Sequence, residues 1–254
     1  MAKKVYVGLS GGVDSSVTAA LLKEQGYEVT GVYMKNWSQD LPGFECPWKE
    51  DYQDAKRVAV RLGIPFKMYD FETQYRDKVV QYMIDEYQAG RTPNPDIMCN
   101  QEVKFKLFLE AALEDGADLI ATGHYSRIKE GKLLTALNLG KDQSYFLYRV
   151  TEEALTKSLM PIGDFDTKDE VRALAVKFNL PTAAKKDSQG ICFVGKVGIK
   201  EFLQQYVTTV SGDIIDQHGR VIGEHDGAIF YTIGQRHGLN VGGGLPYYVV
   251  GKSM

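Results

Sequence analysis

The apolar run Val5-Tyr6-Val7-Gly8-Leu9 passes directly into Ser10-Gly11-Gly12-Val13-Asp14-Ser15, and no other segment constrains the fold as much. The run reads as a buried strand, and residues 15–25 read as a helix that Gly26 closes. A strand turning through small residues into a helix leaves unpaired backbone N–H groups and the positive end of a helix dipole at the turn. That geometry cradles a phosphate. Gly8, Gly11 and Gly12 let the backbone approach an anion, and Ser10 and Ser15 add hydroxyl donors. The G-x-x-x-x-G-K-[ST] pattern is missing together with its lysine, so this is not a Walker A loop.

Strand and helix signals continue to alternate. A strand is expected at 28–34, and a helix at 51–62 carries Ala55, Val58, Ala59 and Leu62 at helical spacing before Gly63. A strand at 66–70, helices at 72–87 and 100–115, and a strand at 118–123 follow. Repeated β-α-β units imply parallel pairing and right-handed crossovers, hence an α/β, doubly wound parallel sheet with helices on both faces. Ligands in such sheets bind beyond the carboxyl ends of the strands. That edge gathers the loop after Leu9, the neighbourhood of Met34, and Gly123-His124. Met34 can pack on a base or belong to the core, and Gly123 can admit a nucleotide or make a turn; the pattern leaves both open. Gly131-Lys132 marks a hairpin, and Thr167-Lys168-Asp169-Glu170 is a capping box for a helix ending near 178. Beyond 206 the texture becomes one of short strands and turns, at 212–216, 220–223, 230–233 and 247–250. The expected division is a nucleotide-binding domain at 1–205 and a smaller β-rich domain at 206–254.

The net charge of -3 excludes a global basic field, so a nucleic-acid partner has to be held by local groups. Lys104, Lys106, Lys141, Lys185, Lys186, Arg236 and His237 are the candidates. No apolar stretch approaches the roughly 20 residues of a membrane span, and no signal-peptide pattern opens the chain. Three cysteines do not make a disulfide framework. A reducing cytoplasm is the expected setting.

Two cysteines lie in suggestive surroundings. In Thr92-Pro93-Asn94-Pro95-Asp96-Ile97-Met98-Cys99-Asn100 the prolines are expected to hold an extended connection between helices, with Cys99 at the threshold of the second. A helix threshold favours thiolate. Asp96, three residues earlier, is placed to trade protons at the same centre. Cys192, in Asp187-Ser188-Gln189-Gly190-Ile191-Cys192-Phe193, has Lys185 and Lys186 nearby to lower its pKa. Either cysteine can instead be a packing residue. Cys46 has no acid or base pattern around it and is read as incidental.

The SGGVDS turn resembles the pyrophosphatase loop (PP-loop) of enzymes that split ATP into AMP and pyrophosphate. Six motifs in order extend the likeness: GLSGGVDSS at 8–16, TPNPDIMCN at 92–100, ATGHYSR at 121–127, KDQSYFLY at 141–148, DSQGICFVG at 187–195 and YTIGQRHGL at 231–239. Together they resemble the tRNA-specific 2-thiouridylase family across essentially the whole chain. The resemblance implies a PP-loop fold of the adenine nucleotide alpha-hydrolase type that uses ATP as Mg2+-ATP. It also implies tRNA as substrate, with the wobble uridine thiolated at C2, and a sulfur-relay protein as persulfide donor. On it, Gly8, Leu9, Ser10, Gly11, Gly12, Val13, Asp14 and Ser15 hold the phosphates, with Met34 and Gly123 near the nucleoside. Asn94, Pro95 and Asp96 surround the target base; Lys141, Asp142 and Gln143 contact tRNA, and His124 lies near it. Cys192 carries the persulfide, Cys99 attacks it to leave a Cys99–Cys192 disulfide, and Asp96 is the acid/base. Family members continue into a C-terminal β-barrel that helps clamp tRNA, which this chain is expected to lack. Three other readings remain: a PP-loop ligase that adenylates a small-molecule carbonyl for attack by ammonia, a non-catalytic form that binds ATP or tRNA, and an iron–sulfur cluster on the cysteines.

Overall fold

The computed structural model describes residues 2–40, 46–186, 198–242, 244 and 246–254. The chain runs through β1 (Lys4–Gly8), α1 (Val13–Glu24), β2 (Glu28–Lys35), α2 (Trp48–Leu62) and β3 (Phe66–Asp70). Helices α3 (Glu72–Tyr75) and α4 (Gln81–Gln88) are joined through a π-wound stretch, Arg76–Val80. Then come α5 (Pro95–Met98), a second π-wound stretch (Cys99–Leu107), α6 (Phe108–Glu114) and β4 (Leu119–Ala121). A hairpin of β5 (Ser126–Lys129) and β6 (Lys132–Thr135) precedes α7 (Glu152–Thr156), β7 (Ser158–Leu159) and α8 (Lys168–Lys177). The chain closes with α9 (Ile199–Leu203), β8 (Gly212–Ile215) and β9 (Val221–His225).

Five strands form one parallel sheet in the order β3-β2-β1-β4-β7. Alternation along β1 explains why it is covered on both faces. Val5 and Val7 pack with Leu9, Val17, Val58 and Val171 under α1, α2 and α8. Tyr6 points the other way, to Val32, Tyr75, Phe108 and Ile120 under α3 to α6. The expected doubly wound sheet is therefore present. Connections run outward in opposite directions from β1 and β4, which opens a crevice above their carboxyl ends.

Several boundaries differ from the sequence expectation. The helix expected at 100–115 starts at Pro95 instead. Asn94 caps it, its Oδ1 accepting from the Asp96 N–H at 3.1 Å, and Pro95 occupies the first turn. Proline has the helical φ already and lacks only an N–H that has no partner there, so it starts this helix rather than holding the chain extended. Cys99 thus lies a full turn inside, with its N–H already bonded to Pro95 and Asp96 carbonyls. It is not at a helix threshold.

The first hairpin turns at Glu130 and Gly131, at φ 52° and 75°, one residue earlier than expected. Both positive values match the I′ geometry that suits strand twist. Thr167 caps α8, but Glu170 Oε1 accepts from its hydroxyl at 2.8 Å instead of reaching back to its N–H. In the C-terminal part, β8 and β9 pair antiparallel around Gly219. The strands expected at 230–233 and 247–250 are not ladders. Residues Ala228–Phe230 form a 3-10 turn, and among the described residues only Gly234 and Gln235 exchange backbone bonds with Val249, at 2.7 and 3.0 Å. Gly234 has φ +86°, which turns the chain away after that single pairing. No helix among the described residues is long and apolar enough to cross a membrane.

Candidate active site

A cavity of about 440 Å³ occupies the crevice above β1 and β4. One wall is the loop from Gly8 to Ser15. Gly11 has φ +78°, and a Cβ there would lie 2.5 Å from the Asp51 carbonyl oxygen, so α2 presses the loop into shape. The Ser10 N–H donates to Ser15 Oγ at 3.2 Å, and Ser16 Oγ donates to the Gly12 carbonyl at 2.6 Å. These bonds fix the first turn of α1 with its N–H groups toward the cavity.

Asp14 Oδ1 accepts from two distant donors, Tyr125 Oη at 3.0 Å and Lys168 Nζ at 2.6 Å. Lys168 stands at the start of α8, and its ammonium also lies 5.4 Å from the Tyr125 ring centre. The loop has no lysine of its own; the fold delivers one from 154 positions away. In the sequence, Lys168 reads only as part of a capping box. A lysine at the first helical position facing a glycine-rich loop was the available signal.

Met34 and Gly123 both line the cavity, as expected. Gly8 makes room for Met34, because a Cβ on Gly8 would meet the Met34 methyl at 2.9 Å. Gly123 serves packing: its Cβ would lie 2.6 Å from the Ser15 backbone nitrogen. Tyr33, Trp48 and Asn36 complete this end and had not been singled out. Asn36 Oδ1 is buried and has no hydrogen-bond partner among the described residues, leaving an acceptor beside the cavity. Cys46, read as incidental, also lines it; burial pushes its thiol pKa up, and its Sγ lies 3.6 Å from the Trp37 carbonyl.

The opposite end joins the cavity to the Asp96–Cys99 helix. Lys104 lines the cavity from the π-wound stretch that begins at Cys99. That winding bonds residues five apart, so Cys99 and Lys104 lie on one face. Cys99 is buried and does not line the cavity itself. Burial raises the Asp96 carboxyl pKa above its ordinary value, and the nearby Lys104 charge partly opposes the rise. Burial holds His124 well below the usual imidazole range, with Lys104 acting in the same direction. His124 is therefore a neutral ring, its Nδ1 2.8 Å from Thr122 Oγ1. Cys192 and the rest of its 187–195 motif lie outside the described residues.

Among the other expected tRNA contacts, Lys141 is exposed at the cavity mouth. Asp142 is engaged in structure, accepting from the Ala136 N–H at 2.7 Å and Ser144 Oγ at 2.6 Å. Gln143 pairs twice with the Tyr125 backbone, at 2.8 and 2.9 Å. Asn94 and Pro95 begin the helix that carries Cys99. Among the described residues there is no group of three or more metal-ligating side chains.

Fold and site together define a parallel α/β protein whose glycine-rich loop shares a cavity with Lys104, on the helical stretch that carries Asp96 and the buried Cys99. The model of a tRNA methyl transferase HUP domain matches residues 3–196, and that of a tRNA methyl transferase PRC-barrel domain matches residues 200–254. Among curated relatives, the tRNA-specific 2-thiouridylase MnmA of Bacillus licheniformis is 55% identical over 257 aligned residues, covering 99% of this chain and 68% of that protein. The MnmA proteins of Staphylococcus epidermidis and Neisseria gonorrhoeae are 52% and 54% identical, over 99% and 98% of this chain and 69% of each relative. A solved 4-thiouridine synthetase–RNA complex with bound ATP aligns with a TM-score of 0.49 and 19% identity, over 80% of this chain and 50% of that one. The chain belongs to the tRNA-specific 2-thiouridylase family.

Proposed function

We propose that the chain thiolates C2 of the wobble uridine of tRNA, in the cytoplasm, by an ATP-dependent adenylation followed by sulfur transfer. The division is a nucleotide-binding domain at 1–205 and a β-rich domain at 206–254. The observation that carries this reading is a single cavity, walled at one end by the anion loop and at the other by Lys104, on the helix of Asp96 and Cys99.

The loop fits a nucleotide. Residues 8–15 offer backbone donors and a helix N-terminus to the phosphates, and Lys168 supplies the cation that the loop lacks. Met34 and Gly123 flank the nucleoside, and the Asn36 acceptor suits an amino donor on the base. Mg2+ would arrive on the ATP phosphates and offset the charge of the departing pyrophosphate.

A uracil carbonyl oxygen is a poor leaving group. Attack of the C2 oxygen on the α-phosphorus forms an O–P bond, breaks the bond to pyrophosphate and converts that oxygen into part of AMP. A donor protein loads Cys192 with a persulfide. The Cys99 thiolate then attacks the Cys192 sulfur, breaking the S–S bond, and hydrosulfide leaves with that electron pair. Hydrosulfide adds at C2 and AMP departs; the Cys99–Cys192 disulfide is reduced by external thiol before the next cycle. Asp96, whose carboxyl pKa burial raises, is suited to pass a proton at this centre. Asn94 and Pro95 hold the everted base. Lys141, Asp142, Gln143 and the neutral His124 line its approach, Asp142 and Gln143 largely by bracing the backbone.

The test is incubation with unmodified tRNA, Mg2+-ATP and a persulfide donor, followed by nucleoside mass spectrometry and AMP assay. Stoichiometric 2-thiouridine and AMP are expected. Thiolation without ATP, or AMP formation in the absence of any sulfur nucleoside, contradicts the scheme.

A further inference from the structure

The 3-10 turn Ser144–Leu147 lies against the helix that starts at Pro95. Asn100 Nδ2 donates to the Phe146 carbonyl at 3.1 Å, and Arg149 Nη1 donates to Met98 Sδ at 3.5 Å. Leu147 anchors the turn, with none of its surface exposed. The bond from Asn100 and the buried leucine make this a rigid support.

Two large aromatic side chains on it nevertheless face solvent, Tyr145 at 62% exposure and Tyr148 at 66%. Residues three apart eclipse one another in a 3-10 turn, and Tyr148 keeps nearly that backbone at φ -61°, ψ -17°. The two side chains therefore leave the backbone on the same side of the turn. The Phe146 ring meets Tyr145 edge-on, 5.0 Å between centres at 72°, which restricts the Tyr145 ring without covering it. In sequence the exposed Lys141 and Arg149 bracket the pair, and no acidic residue lies between Asp142 and Glu152.

Exposed aromatic rings on an anchored turn, with cations close in sequence, suit a polyanion whose flat groups are unpaired. Bases of single-stranded nucleic acid stack on such rings, and the cations track the backbone. A folded protein partner offers no comparable reason for the flanking positive charge. We propose that Tyr145 and Tyr148 form a stacking platform for unpaired anticodon-loop bases next to the uridine that is everted toward Asp96 and Cys99. This rests on the thiolation reading above and adds to it a surface that selects a loop over a duplex.

The experiment compares wild type with Tyr145→Ala, Tyr148→Ala, the double alanine and the double phenylalanine variant. Binding of an unmodified anticodon stem-loop carrying a fluorescent base analogue beside the wobble position is followed by anisotropy and by quenching. Each alanine should weaken binding about tenfold, the size of one base–aromatic stack, and should abolish part of the quenching. The phenylalanine pair should bind like wild type, because stacking uses the ring and not the hydroxyl. In the thiolation assay the alanines should raise KM for tRNA and leave kcat at saturating tRNA intact. Thermal unfolding and ATP binding, read on the same samples, confirm that the variants are folded.

A double alanine variant that binds the stem-loop as wild type does, while wild type thiolates tRNA, overturns the platform and leaves the thiolation reading standing. So does a double variant that keeps RNA binding but changes self-association, which would assign the rings to a protein contact. A wild-type chain that neither binds nor thiolates the RNA removes both.

Discussion

Replacing Gly123 by alanine separates two reasons for a glycine at the edge of the cavity. If the glycine only lets a nucleotide come close, Gly123→Ala harms ATP binding and leaves the empty protein as stable as before. The structure gives a different expectation. The added methyl would sit 2.6 Å from the Ser15 nitrogen, 2.8 Å from the Asp14 carbonyl carbon and 3.0 Å from the Ser15 Cα, all of them backbone atoms in the first turn of α1. Restoring an ordinary contact needs a retreat of about 0.8 Å between α1 and the end of β4. Both elements are pinned, α1 by its apolar face and β4 by pairing with β1 and β7. Overpacking of this kind costs about 1–3 kcal/mol. For a chain of this length that is a fall in Tm of about 2–12 °C. The same displacement moves the loop against its phosphates by nearly an ångström, enough for about a hundredfold loss in AMP formation. Calorimetry without nucleotide, together with a pyrophosphate-release assay, reads both effects. An unchanged Tm in the absence of ATP would refute the packing argument, whatever happened to catalysis.

Lys168→Met should lower kcat/KM for ATP by about ten- to a hundredfold, the scale of one charged hydrogen bond. Equal pyrophosphate release in the variant would remove Lys168 from the phosphate site. Asp96→Asn should abolish thiolation yet raise Tm at neutral pH. Burial raises the Asp96 pKa in the fold, so the ionised form there costs stability as pH rises through that value. The gain should vanish below about pH 3, where the carboxyl is largely protonated in folded and unfolded chains alike. A gain of equal size at both pH values contradicts the assignment. Cys99→Ala and Cys192→Ala should each eliminate 2-thiouridine while nucleotide binding, measured by calorimetric titration, persists. Thiolation surviving in either variant would exclude the persulfide route.

The sheet and its anion loop were legible because local signals and burial agree there. An apolar run, a small-residue turn and a helix in succession leave one way to fold, and Gly63 closes α2 in the left-handed conformation that its position suggests. The Pro95 helix was misread because two prolines and an asparagine describe a loop and a capped helix start equally well. Only the Asn94 hydrogen bond to Asp96 separates the two. Lys104 and Lys168 were visible as charges, but their meeting at one cavity depends on π winding and on a contact across 154 positions. No periodicity encodes either. The C-terminal strands fail for a related reason: two aromatic and two β-branched residues at 247–250 signal strand propensity, whereas a ladder also needs a partner of equal length.

A timing consequence follows from the carboxylate of Asp14. Its oxygen waits for a phenol 111 positions later and an ammonium 154 positions later. The edge of β1 that faces β4 likewise stays bare until residues 119–121 have been made. On the ribosome, the loop emerges well before the residues that close its cage, the last of which follows it by 154 positions. A ligand that binds the closed loop therefore stabilises a nascent chain only after Lys168 has been made and has docked.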